Sequence, residues 1–551
     1  VEKIWLKNYP NGVAIDINPD TYQSLTEMLE ENCQLFADLP AFYNLGTTLT
    51  YRQIDLYSRA FAAYLQQELK LKKGDRVAIM LPNVLQYPIV MFGILRAGLI
   101  VVNVNPLYTP SELKFQLNDS GTETIIVLSN FAHTVQAVLK ETTLKNVIVT
   151  EIGDMLFYPK ALLINFVLKY IKKKIPKWSI PNALAFKKVL ALGKNLNFQH
   201  VVITNNEIAF LQYTGGTTGV AKGAILTHRN IIANILQAEA WFKPLFDPGK
   251  EIIITALPLY HIFSLTANCL FIMKTGGLNI LITNARDIDQ VVSEMSKFKF
   301  TVITGVNTLF NAMLKNPNFS KVDFSALKLS LGGGMAVVRV VAERWHVVTG
   351  HPLLEAYGLT ETSPCAAINP IDLKEYNGYI GLPVSSTIMT ILDDSGNELP
   401  LGESGEICIK GPQVMRGYWQ NPLETQKVFT KDGWLLTGDI GVMNEDGYVR
   451  LLERKKDMIL VSGFNVYPNE IEAVLMSMPG VQEAAVVGVP DESSGEVPKA
   501  FIVKNKMDLI PEEIIAYCRT KLTGYKIPKQ IAFCDELPKT NVGKVLRRAL
   551  K

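Results

Sequence analysis

One stretch restricts this chain more than any other: Tyr213-Thr214-Gly215-Gly216-Thr217-Thr218-Gly219-Val220-Ala221-Lys222-Gly223. An apolar run, Ile208 to Tyr213, leads into it and reads as a buried strand. Ala224-Ile225-Leu226 leads out to Thr227, the expected N-cap of a following helix. Glycine lets the backbone turn sharply and bring its N–H groups close to a guest. Threonine adds hydroxyls, and lysine adds a mobile positive charge. The combination predicts a cradle for a polyphosphate. It is not the loop of nucleoside triphosphatases, which needs Gly-Lys-Ser/Thr in succession. Here Ala221 precedes Lys222 and Gly223 follows it.

Strand and helix patterns alternate on both sides of this stretch. Thr50 is a candidate cap for a helix from Arg52 to Gln67. Asp75 to Leu81 reads as a strand, Asn83 to Ala97 as a helix and Leu99 to Val104 as a second strand. Further strands are expected at Thr124 to Leu128, Val147 to Thr150, Ile252 to Leu257, Leu278 to Ile282 and Thr301 to Gly305. This rhythm predicts an α/β fold of largely parallel sheets covered by helices. The 551 residues exceed the roughly 250–300 at which one core stops growing, so at least two domains are expected. From Ser386 the pattern changes to short strands separated by glycine turns, a small antiparallel β unit. The charge run Glu453-Arg454-Lys455-Lys456-Asp457 falls where the chain is best divided. Beyond it, a helix opened by Asn469 to Glu472, a strand from Ala484 to Val489 and a helix from Pro511 to Leu522 make a compact α+β unit. The expected domains are 1–455 and 456–551, with a hinge at about 454–457.

Composition excludes several classes. The 55 basic and 52 acidic residues nearly cancel, so no global field attracts nucleic acid. The six cysteines form no Cys-x-x-Cys pair, which argues against a zinc site or a disulfide framework and fits a reducing, cytoplasmic compartment. The residues from Val1 to Leu6 carry no signal-peptide apolar core. Ile89 to Val104 is apolar but interrupted by Arg96, and reads as a buried helix and strand. Leu162 to Lys174 is a short basic amphipathic segment. At helical spacing Leu163, Phe166, Val167, Tyr170 and Ile171 share one face, with Asn165, Lys169, Lys172 and Lys173 mostly opposite. It is too short to span a bilayer; it reads equally as an interfacial contact or as a core helix with solvated lysines.

Five chemical groups end strands or turns. His261 closes the run Leu257-Pro258-Leu259-Tyr260, and Gly332-Gly333-Gly334 follows a strand. Tyr357-Gly358-Leu359-Thr360-Glu361 ends another, and open α/β sheets bind ligands at such carboxyl ends. Asp439 follows a glycine, and Lys544 lies on a turn after Gly543. Read singly, these are a core histidine, a tight turn, a loop carboxylate, an Asx-turn residue and a surface lysine.

In this order the signals resemble the acyl-adenylate-forming enzymes across nearly the whole chain, from Leu49-Thr50-Tyr51 to Lys544. The subgroup most resembled is the bacterial long-chain fatty acyl-CoA synthetases, through Met458 to Glu472 and the lysine-rich Leu162 to Lys174. The resemblance implies a large N-terminal domain and a small mobile C-terminal domain. It implies ATP and Mg²⁺, a long-chain fatty acid and coenzyme A. Alternatives are a medium-chain or aromatic-acid CoA ligase, a fatty-acyl-AMP ligase, or a membrane-associated fatty-acid or nucleotide carrier. The resemblance assigns Mg²⁺ to Thr214 and Glu361, the phosphates to Thr217, Thr218, Gly219 and Lys222, and Gly215 and Gly216 to the ATP site with them. Gly333, Gly334, Tyr357, Gly358 and Thr360 are implied at the nucleotide, and Asp439 and Arg454 at its ribose. Lys544 is implied to bridge the α-phosphate and the carboxylate, and His261 to close the carboxylate end of the acyl pocket. Lys456 is the implied pivot, and Gly463 lines the path of the pantetheine arm. Some fatty-acid members of the resembled family gate the acyl tunnel with a tryptophan; none lies in Tyr260 to Leu265, where Phe263 could substitute, and the resemblance leaves the identity of the gate open. Contact with the inner membrane surface and a homodimer are further implied.

Overall fold

The computed structural model describes residues 2–171, 175–214, 221–462, 464–491, 493–505, 509–540 and 543–551. Two large sheets form the main body. The seven-stranded sheet runs Leu184–Ala185, Asn146–Thr150, Thr124–Leu128, Arg76–Met80, Ile100–Asn103, Ile208–Thr214, Lys222–Thr227, with every neighbour parallel except the last pair. The nine-stranded sheet has a parallel centre of Leu353–Gly358, Leu329–Gly332, Val302–Gly305, Ile252–Thr255, Leu278–Leu281 and Pro40–Asn44, closed by antiparallel strands at both ends. Strands such as Thr124–Leu128 are buried at every residue, which is why they read as continuous apolar runs.

The expected caps are present. Thr50 and Thr227 each accept from the backbone N–H three residues on, and Gln53 and Asn230 return the bond. One local expectation is corrected. The glycine-rich stretch does not run directly from a strand to a helix: Ile208–Thr214 and Lys222–Thr227 pair antiparallel, and the helix His228–Phe242 starts only after the second strand. Lys222 to Thr227 pairs along its length with Ile208–Thr214, a tertiary pairing that the few residues before the cap do not reveal.

The four-stranded antiparallel unit comprises Ile388–Leu392, Ser404–Lys410, Leu435–Met443 and Val449–Arg454. The C-terminal unit is a separate sheet of Phe464–Val466, Ile459–Val461, Gly495–Lys504 and Val481–Asp491, with Gln530–Phe533 added to Gly495–Lys504. Helices Pro468–Met476 and Pro511–Arg519 bury Ile471, Leu475, Ile514 and Cys518 in this unit's own core.

The segment from Leu162 does not form the expected amphipathic helix. Lys160–Phe166 is α-helical and Val167–Ile171 a wider π turn. Asn165, expected on the outer face, turns inward and accepts from the Gly153 N–H at 2.8 Å. Leu163, Phe166, Tyr170 and Ile171 are more than half exposed. Lys172 and Lys173 lie outside the described residues. Among the described residues no helix is long and apolar enough to cross a membrane.

Candidate active site

The carboxyl-end exits of parallel strands in the nine-stranded sheet build one wall of a cavity of about 1090 Å³. Leu329–Gly332 runs into Gly333-Gly334, and Leu353–Gly358 into Leu359-Thr360-Glu361. At Gly334 φ is +76°, which suits glycine. A side chain on Gly358 would meet the Pro364 carbonyl oxygen at 1.9 Å. The opposite wall is the end of the hairpin in the seven-stranded sheet, with Thr214 and Lys222. Buried amides join the two sheets here. Asn83 donates to the Thr255 and Leu257 carbonyls, and Gln212 donates to the Tyr260 carbonyl at 2.6 Å. Tyr87 donates to Asn103 and to the Leu259 carbonyl. The loop bearing His261 is therefore held from both sides.

Thr214, Lys222, His261, Gly333, Gly334, Tyr357, Gly358, Thr360, Glu361, Arg454 and Lys544 all line this cavity. Asp439 lies just behind it. Its Oδ2 accepts from the Tyr357 hydroxyl at 2.6 Å, and its Oδ1 is 2.9 Å from Arg454 Nε. That nitrogen is out of line for a hydrogen bond, so Oδ1 is a buried acceptor without a donor. Burial raises the Asp439 carboxyl above its ordinary value, and Arg454 limits the rise. An acceptor of this kind fits a sugar hydroxyl. Gly215, Gly216, Thr217, Thr218, Gly219 and Gly463 lie outside the described residues. Lys456 is exposed and lines no part of the cavity.

Lys544 is brought in by the C-terminal unit. Its amine lies near Gly334, whose Cβ position is 3.8 Å from Lys544 Nζ. The turn that carries it is pinned by Thr308, which donates to the Gly543 carbonyl at 3.0 Å. Burial, with Arg454 adding, lowers the Lys544 ammonium to about 8, against the pull of Asp439 and Glu361. Burial and the nearby Lys544 hold His261 at about 3, so its ring is neutral. Its Nδ1 accepts from the Phe263 N–H at 3.3 Å, which leaves the proton on Nε2. Phe263 packs against Gly333, 3.1 Å from where a Cβ would stand, so it abuts the glycine-lined wall of the cavity.

Two partners, Tyr418 and Glu424, escaped the sequence reading. Tyr418 donates to Glu361 Oε1 at 2.7 Å, fixing the carboxylate, and its ring lies under the Lys222 amine. Glu424 pairs with Lys222, which is therefore not a free cation in this state. The signal was Arg416-Gly417-Tyr418-Trp419, an aromatic pair beside a glycine. The donor set suits Mg²⁺ bound chiefly through a substrate. Among the described residues no group of three His, Cys, Asp or Glu could cage an ion, whereas Glu361 and the Thr214 hydroxyl line the cavity and could supply the one or two protein oxygens that Mg²⁺ takes alongside phosphates.

The cavity has a second, apolar arm. Leu329, Leu331 and Gly333 are alternate residues on one face of their strand, and Val302 and Thr304 repeat this next door. Asn234, Ala238 and Phe242 form the facing stripe at four-residue helical spacing. Phe242, Phe246 and Phe271 contact one another and also line the arm. From Gly333 to Leu329 the arm follows four residues of strand, roughly 13 Å.

Residues 29–419 match the AMP-binding enzyme family, and residues 470–544 its C-terminal domain. The chain is 58% identical to long-chain-fatty-acid–CoA ligases of Escherichia coli O6:H1 and of Salmonella typhimurium, over 100% of this chain and 98% of each relative. The fold superposes on an anthranilate CoA ligase solved with anthranoyl-AMP at a TM-score of 0.84 and 26% identity, covering 96% of both chains. The glycine-lined wall, the buried acceptor at Asp439 and Lys544 brought in from the C-terminal unit agree with these matches: the chain belongs to the AMP-binding enzyme family.

Proposed function

We propose that this protein is a long-chain fatty acyl-CoA synthetase, working in two half-reactions with a C-terminal domain, residues 456–551, that turns between them. The single observation that carries this reading is the continuity of the nucleotide wall with the apolar arm. A fatty acid fits with its carboxylate at His261 and Lys544 and its tail along Ala238, Phe242 and Leu331. One aromatic ring does not fill such a length.

A fatty carboxylate is ionised near neutral pH, so its attack on the α-phosphorus needs no strong base. Its oxygen forms the new P–O bond, and the bond to pyrophosphate breaks. The obstacle is repulsion between anions, which Lys544 relieves at the junction. His261 Nε2–H orients the carboxylate without adding charge. Tyr357 and the Gly333-Gly334 turn hold adenine, and Asp439 with Arg454 fixes the ribose; the residues 215–219 and Lys222, once released from Glu424, take the phosphates. Thr214 and Glu361 would hold Mg²⁺, which when bound supplies positive charge between phosphate oxygens. In the second step the coenzyme A sulfur attacks the acyl carbon, reaching it past Gly463, and AMP leaves with the bridging oxygen.

The test is fatty-acid-dependent exchange of labelled pyrophosphate into ATP without coenzyme A. Exchange rises with chain length in the native protein. Ala238→Trp plugs the arm and lowers exchange with hexadecanoate by roughly tenfold or more while sparing butyrate. Equal loss with both acids overturns the acyl assignment.

The exposed Phe166, Tyr170 and Ile171 beside Lys169 support peripheral contact with the cytoplasmic face of the membrane. A near-surface lysine is worth about 1 kcal/mol, so changing Lys169, Lys172 and Lys173 to Gln weakens binding by up to about 10²-fold. Co-sedimentation with phosphatidylglycerol vesicles reads this. Unchanged sedimentation removes the contact.

A further inference from the structure

The charge run that marks the hinge is not a solvated face throughout. Glu453, the residue before Arg454 on Val449–Arg454, is 1% exposed. Three groups converge on it. Its Oε1 accepts from the Arg454 N–H and from Arg547 Nη1, each at 2.9 Å, and its Oε2 accepts from the Asn469 N–H at 2.9 Å. Arg547 is itself largely enclosed. It donates to Glu472 Oε2 at 2.8 Å and to Asn469 Oδ1 at 2.7 Å, and lies 3.8 Å from Asp457. Burial, with Glu472 adding, pushes the Glu453 carboxyl up to about 7, against the pull of Arg547.

Arg547 follows Lys544 by three residues. The lysine turn is thus bracketed by two contacts to the main body. Thr308 holds Gly543 on one side, and Glu453 holds Arg547 on the other. Glu453 belongs to the strand before the pivot, whereas Asn469, Glu472 and Arg547 lie after it. A rotation at Lys456 carries the latter three together and leaves Glu453 behind. We infer that Glu453 and Arg547 form a latch that seats Lys544 in the cavity for the first half-reaction and must open for the second. This rests on the two-step reading above. Both are positioning residues, since neither touches the cavity's reacting end.

The latch separates two readouts that a merely structural ion pair would move together. Glu453→Gln and Arg547→Gln are each expected to lower pyrophosphate exchange with hexadecanoate by roughly 30-fold, as loss of one partner of a buried ion pair does. Thioester formation from supplied hexadecanoyl-AMP is expected to stay near the native rate in both. The double variant is expected to match the worse single one within about twofold, because the two act as a unit. A substrate-free measurement distinguishes failure of the latch from failure of the enzymatic reading. Lys455 and Lys456 are exposed, and opening the latch frees the hinge for trypsin. Faster hinge cleavage at an unchanged melting temperature supports the latch even if no acid is a substrate. Unchanged cleavage in both variants overturns it. So does equal loss of both half-reactions, or additive losses in the double variant.

Discussion

Lys544→Ala is expected to lower pyrophosphate exchange by roughly 10²–10³-fold, the range for losing one preorganised charge at a developing anion. Thioester formation from supplied acyl-AMP is expected to survive. The split follows from placement: Lys544 is delivered by the C-terminal unit to the junction of nucleotide wall and apolar arm, where only the first step brings two anions together. The pH profile carries the same signature. The folded protein holds the ammonium at about 8, below its ordinary value, and in the proposed role the charged form is the working one. kcat/KM for the first step, which reports the free enzyme, therefore falls as pH rises through about 8. In Lys544→Ala that limb disappears. Equal losses in both steps, or an unchanged alkaline limb, contradict the role.

Lys456→Pro is expected to act in the opposite sense, sparing exchange and lowering thioester formation by roughly 10²-fold, the cost of a misplaced reacting group. Proline fixes φ and restricts the residue before it. The bonds that hold the hinge in this state come from the Lys455, Asp457 and Met458 N–H groups rather than from Lys456. The seated state therefore tolerates the substitution, and the turn away from it does not. Paired assays of the two half-reactions on one preparation measure this. An unimpaired second step moves the pivot elsewhere.

How far the sequence carried depends on what each residue's signal was. Thr50 and Thr227 were legible as caps because a hydroxyl at that place has one common use. Continuous apolar runs such as Thr124–Leu128 were legible as strands because both faces are covered. The candidate site was legible through resemblance, and its described residues gather in one cavity with Asp439 behind Tyr357. Three things were not legible. Gly495–Lys504 contains Pro498, which argues against a strand paired on both edges. Asn165 turned inward because one amide could satisfy the Gly153 N–H, a tertiary fact that helical spacing does not contain. Glu453 read only as part of the charge run at the domain boundary, and its distant partners Asn469 and Arg547 explain its burial.

The seating of Lys544 has a consequence for economy. A mixed anhydride between an acyl group and a phosphate is prone to hydrolysis, and every molecule lost to water consumes an ATP without yielding a thioester. In this state the Gly543-Lys544 turn stands as a plug at the junction, with Thr308 bonded to its backbone and the amine against Gly334. On the role proposed for Lys544, the element that drives the first step also shields its product. Leakage would then be set by how briefly the site stands open during the proposed domain turn, and not by the intrinsic lability of the intermediate.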